Sequence, residues 1–156
     1  MRFTKMQAAG NDYVYMDTFK APISSPEALA RRISDRHFGV GSDGLILICP
    51  PSDPGEADFR MRMFNADGSE AEMCGNGVRC FAKYVYDKGI FKHERMSVET
   101  LAGPMIIDLT VKDGVAVAAK VDMGVPETRR EFIPVVGTGE CQLEKLAAVD
   151  KEFTFS

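Results

Sequence analysis

Apolar and polar residues alternate over short stretches along much of this chain. Phe59, Met61 and Met63 alternate with Arg60 and Arg62, a period of two that predicts a half-buried strand. Residues 3–6 and 13–16 read as two short strands broken by Gly10-Asn11-Asp12, and the apolar run 45–48 reads as a buried strand. Strands are also expected over 96–100, 105–110 and 115–121, with Lys112-Asp113-Gly114 turning the chain between the last two. The period changes in two places. After Ser25-Pro26-Glu27, with serine as cap and proline at the first helical position, Leu29, Ala30 and Ile33 form a helical stripe expected to run to about His37. After Cys74-Gly75-Asn76-Gly77, Val78, Phe81, Ala82 and Val85 form a second stripe, with Gly89 as its C-terminal stop. The pattern is that of an α+β domain of many short strands and two helices. A boundary is expected near Gly124-Val125-Pro126, dividing the chain into 1–122 and 123–156.

Composition narrows the classes without naming one. At 156 residues the chain can bury a sizeable core without a metal or disulfide. The net charge of −4 and the absence of any Lys/Arg run argue against nucleic acid or an anionic membrane as partner. No apolar run approaches the ~20 residues of a membrane span. Lys5, Gln7, Asn11, Asp12 and Asp17 interrupt any secretory signal core, so a cytoplasmic location is the default expectation. Cys49, Cys74, Cys80 and Cys141 show no CxxC spacing and pair with no histidine, so free thiols are expected and no metal site.

Two motifs carry candidate chemistry. Gly39-Val40-Gly41-Ser42-Asp43-Gly44 matches the dinucleotide fingerprint literally, but a helix precedes it and a strand follows, the reverse of what that fingerprint requires. Its ordinary reading is a turn whose backbone lines a pocket. In Met73-Cys74-Gly75-Asn76-Gly77-Val78-Arg79-Cys80, a cysteine stands beside a helix start. Free N–H groups there attract a carboxylate, and the helix dipole favours a thiolate. One loop could thus hold a substrate carboxylate and aim a base at its Cα. The plainer alternative is a buried cysteine beside a glycine turn. Cys80, within the helix, and Cys49, after an apolar run, read as core residues; Asn11, Asn65 and Asp67 read first as turn residues, whose side chains can also offer donor and acceptor to a zwitterionic ligand.

The segments from Lys5-Met6 through Asn11-Asp12, Gly39 to Gly44, Phe64-Asn65-Ala66-Asp67-Gly68-Ser69-Glu70 and Met73 to Ala82 occur in an order and at separations that resemble the N-terminal half of diaminopimelate epimerases. Val121-Asp122-Met123-Gly124-Val125-Pro126 is similar to that family's crossing into its second half. The resemblance implies two similar halves, each a strand-rich mixed sheet or barrel around a central helix. It implies interconversion of LL- and meso-diaminopimelate without a cofactor, in lysine and peptidoglycan synthesis. One cysteine removes the α-proton and a second, on the opposite face, returns one. Cys74 matches the first of these; Asn11, Gly44, Asn65, Gly75 and Asn76 match substrate-binding positions, and some members carry glutamine at the position of Gly44. The resemblance further implies that residues 123–156 begin a truncated second domain and that the second half of the enzyme, with its Cys-Gly-Thr-Gly run, is missing from this chain. Gly137-Thr138-Gly139-Glu140-Cys141 has the reverse order and cannot place its cysteine at a helix start. A homodimer is a plausible assembly by the same resemblance. Two other readings remain: another isomerase of the same superfamily, proline racemase-like or phenazine-synthesis-like, and a non-catalytic remnant or binding module.

Overall fold

The computed structural model describes residues 2–133, 135–141, 144–148 and 151–155. The chain forms two compact units, residues 1–122 and residues 123–156.

The first unit is one mixed sheet with a helix on each face. Strands β1 (Thr4–Ala8) and β2 (Asn11–Asp17) form an antiparallel hairpin. Ala9 and Gly10 fill its two-residue turn, both at positive φ, the backbone such tight hairpins require. Helix α1 (Pro26–Ser34) crosses to β3 (Gly44–Cys49), which pairs parallel to β2; β4 (Phe59–Asn65) returns antiparallel to β3. The free edge of β4 is shared by the two-residue β5 (Glu70–Ala71) and by β6 (Arg95–Thr100), which follows helix α2 (Gly75–Asp87). A meander through β7 (Gly103–Lys112) and β8 (Val115–Val121) completes the order β1-β2-β3-β4-β6-β7-β8.

Burial explains why some strands alternate and others do not. Tyr13, Tyr15, Ile46, Ile48, Met61 and Met63 face α2, where Val78, Phe81, Ala82 and Val85 complete the larger core. Val14, Met16, Leu45, Leu47 and Phe64 face the other way onto Ala30 and Ile33 of α1. Covered on both faces, β2 and β3 are apolar at consecutive positions. By contrast β6 and β7 alternate, because one face only is covered. Helix α2 touches β1, β2, β3, β7 and β8, so the sheet curls around it as a half-barrel. This is the strand-rich sheet around a helix expected from the sequence.

Two local expectations need correction. Helix α1 stops at Ser34 rather than near His37. The Asp35 carboxylate accepts the N–H groups of His37 and Phe38 at 2.7 and 2.8 Å, and the Ile33 carbonyl accepts those of Val40 and Gly41. The apolar stripe ends at Ile33, and a side chain competing for the next backbone donors turns the chain there. Cys49 is only half-buried, at the end of β3, whereas Cys80 is fully within the core.

In the second unit, a 3-10 turn (Arg130–Phe132) is flanked by a bridge between Arg129 and Glu140, and Cys141 is buried with its N–H on the Thr128 carbonyl. Strands β9 (Glu144–Ala148) and β10 (Lys151–Phe155) pair as an antiparallel hairpin.

Candidate active site

The sheet topology gathers distant residues at one end of the first unit. Asn11 begins β2, Gly44 begins β3, and Asn65 ends β4 opposite Gly44. Cys74 is the N-cap of α2, with extended backbone at φ −141° and ψ 113°. Its Sγ accepts the Gly77 N–H at 3.3 Å, and its carbonyl accepts the Val78 N–H at 2.9 Å. The N–H groups of Gly75 and Asn76, earlier in the same turn, have no intrahelical acceptor and remain donors for a ligand. The thiol therefore stands among backbone dipoles that favour negative charge. It is partly, not fully, buried.

Two glycines hold this geometry. A Cβ on Gly77 would come within 2.8 Å of Ile46 Cδ1, so a larger residue would displace the end of the Ile46 side chain beneath the helix start. The Gly77 carbonyl also accepts the buried Tyr15 hydroxyl at 3.1 Å. At Gly44 a Cβ would overlap the Phe64 carbonyl and press on the Tyr13 ring. Gly44 thus supplies close strand approach and backbone, not a side chain.

The polar side chains form a continuous chain of hydrogen bonds. The Asn76 amide donates to Asn11 Oδ1 at 2.9 Å, and Asn11 Nδ2 donates to Asp43 Oδ2 at 3.4 Å. Asp43 also accepts the Asp12 N–H at 2.9 Å. Arg79 donates to Asn76 Oδ1. Arg36 reaches Asp43 at 2.9 Å and Asp12 at 2.7 Å, while Lys5 meets Asp12 at 2.9 Å. The side-chain bonds from Arg36 and then Lys5 hold the Asp12 carboxyl well below the usual carboxylate range. Burial, and then the charge of Cys74, push the Tyr13 phenol up to about 12.

Asn11, Gly44, Asn65, Cys74, Gly75 and Asn76 thus lie on neighbouring element ends. Asn65 is tied into its own turn, its Nδ2 on Ser69 Oγ at 3.0 Å and its N–H on the Ser69 carbonyl at 2.9 Å. Sequence reasoning missed Tyr13, Arg36, Asp43 and Arg79. Asp43 was legible only as part of a glycine-rich turn, and Arg36 carries no local signal at all. Among the described residues, no group of three or more His, Cys, Asp or Glu could hold a metal ion, and no helix is long and apolar enough to cross a membrane.

Comparison with known proteins places the chain in a family. Residues 3–128 match the family model described as diaminopimelate epimerase. The chain is 52% identical over 154 residues to the diaminopimelate epimerase of Acetivibrio thermocellus, covering 98% of this chain and 54% of that protein. It is 51% identical to that of Methanococcus maripaludis over 99% of the chain and 52% of the relative, and 59% identical to that of Desulfovibrio desulfuricans over 87% and 46%. The chain therefore spans about half the length of the curated relatives it matches. In fold it is similar to a hydroxyproline epimerase from Agrobacterium vitis (TM-score 0.61, 14% identity, 76% of this chain and 40% of that one). It is likewise similar to a methylitaconate-delta-isomerase (TM-score 0.60, 18% identity, 73% and 35%). On the family match and these identities, the chain belongs to the diaminopimelate epimerase family.

Proposed function

We propose that residues 1–122 supply one wall of the active site of a cofactor-independent isomerase that interconverts LL- and meso-diaminopimelate, with Cys74 as its proton-transferring group. The observation that carries this reading is the Cys74 sulfur capping α2 at 3.3 Å from the Gly77 N–H. As a thiolate, Cys74 removes the substrate α-proton. The Cα–H bond breaks, an S–H bond forms, and the electron pair moves toward the substrate carboxylate. The Gly75 and Asn76 N–H groups bind that carboxylate and stabilise the charge as it grows. Asn11 and Asn65 contribute hydrogen bonds to the zwitterionic ligand.

Inversion requires an acid on the opposite face of Cα. We place that acid, a second cysteine, on the half of the family fold that this sequence does not span, with residues 123–156 leading into it. The activity serves lysine and peptidoglycan synthesis in the cytoplasm, and a homodimer is the proposed assembly.

The test follows LL-diaminopimelate in D2O by proton NMR and by a coupled assay. It uses the 156-residue chain alone and the chain mixed with a separately produced second half of a relative. The expected result is no inversion by the chain alone, because same-side return regenerates the starting isomer, and Cys74-dependent inversion once the second half is present. Robust inversion by the chain alone, or inversion that survives Cys74→Ala, overturns the reading.

A further inference from the structure

The hydrogen-bonded row Arg36–Asp43–Asn11–Asn76–Arg79 has a property that none of its members has alone. An asparagine amide can be turned either way, presenting NH2 or oxygen to a neighbour, at little cost in shape. Here both ends of the row remove that freedom. Asp43, ion-paired with Arg36, accepts through both oxygens, and Arg79 is a donor with no lone pair to offer. Asn11 must therefore turn its Nδ2 toward Asp43, which leaves Oδ1 for Asn76. Asn76 must turn its Nδ2 toward Asn11, which leaves Oδ1 for Arg79. Asp43 is itself held from three directions: Arg36 on Oδ1, and the Asp12 N–H and Asn11 on Oδ2.

We infer that Asp43 and Arg79 are positioning residues that fix the polarity of the Asn11–Asn76 amide pair beside Cys74. This rests on the proposed function only for the identity of the ligand. Each amide, after its two bonds in the row, keeps one N–H and one oxygen lone pair for a ligand. With their directions fixed, the pair presents a set pattern of donors and acceptors, suited to an amino acid that carries both a carboxylate and an ammonium group. Were either end of the row neutralised, the pair could turn over and present the opposite pattern, and part of the binding energy would go into reselecting the right one.

The test uses the side-chain amide NMR signals of Asn11 and Asn76 in the full 156-residue chain, together with titration by LL-diaminopimelate. Asp43→Asn keeps the shape but replaces one of two accepting oxygens with an NH2 donor, so it no longer dictates direction. It is expected to move or broaden the signals of Asn76, which it does not touch, and to weaken ligand binding about tenfold, the weight of one hydrogen bond. Arg79→Met, at the other end, is expected to do the same to the signals of Asn11. Circular dichroism identifies a variant that fails to fold, and the other variant then decides. If Asp43→Asn leaves Asn76 unmoved and Arg79→Met leaves Asn11 unmoved, there is no relay and the inference is overturned. If LL-diaminopimelate shifts no signal in the unaltered chain mixed with the second half of a relative, the substrate assignment falls, while the two variants still decide the relay.

Discussion

The Tyr15 hydroxyl donates to the Gly77 carbonyl at 3.1 Å in the buried core, joining the middle of β2 to the first turn of α2. The bond links residues 62 positions apart and holds the helix start against the sheet. Burial also drives the Tyr15 phenol far above its ordinary range, so it remains a donor at every working pH. Tyr15→Phe keeps the ring and removes only this bond. The expected cost is about 0.5–1.5 kcal/mol of stability. Urea unfolding measures it. Equal midpoints for the two proteins would show that the bond contributes nothing net.

The approach of β3 to β4 at Gly44 leaves no room for a side chain. Gly44→Gln is expected to destabilise this chain by about 1–3 kcal/mol, the usual cost of overpacking. The Phe64 carbonyl is backbone and cannot rotate away. A thermal melt of the variant checks this, and an unchanged or raised melting temperature would contradict the close packing.

The four cysteines should differ in reactivity. Burial raises the thiols of Cys49 and Cys80 above their ordinary range. Cys74 is partly exposed and accepts a backbone N–H at a helix start. Because the thiolate is the reactive form, Cys74 should be alkylated first near neutral pH. Peptide mapping after brief iodoacetamide treatment gives the order. Uniform labelling of Cys49, Cys74 and Cys80 would remove the case for a special environment at Cys74.

Acid should weaken the start of β2. Asp12 is ionised in the folded protein to a lower pH than in the unfolded chain, because Arg36 and Lys5 bind its charged form. A carboxyl lowered on folding stabilises fully above its unfolded pKa of about 3.9, and that contribution fades as pH falls below this value. Asp12→Asn should therefore be less stable than the parent at pH 6, and the gap should close toward pH 2. A gap that stays constant across this range would mean that the ion pairs to Asp12 contribute no pH-dependent stability.

What the sequence determined by itself is local. The helical stripe from Val78, the bounds of β8 at Val115 and Val121, and Cys74 at a helix start were all legible, because periodicity and capping act within a few residues. The Asp113-Gly114 turn was legible for the same reason, since both residues take positive φ. The end of α1 was not, because the Asp35 side chain takes the backbone donors of His37 and Phe38 that a further helical turn would have used. Nor could spacing show that Gly44 faces the Phe64 carbonyl or that Tyr13 stands beside Cys74. The fate of the amides was decided last. Asn11 and Asn76 lie 65 positions apart and Asn11 and Asp43 lie 32 apart, too far for local spacing to link them. Only the pairing of β2 with β3, and the packing of α2 across both, brings one carboxylate, two amides and one guanidinium into a row whose direction is fixed from its ends.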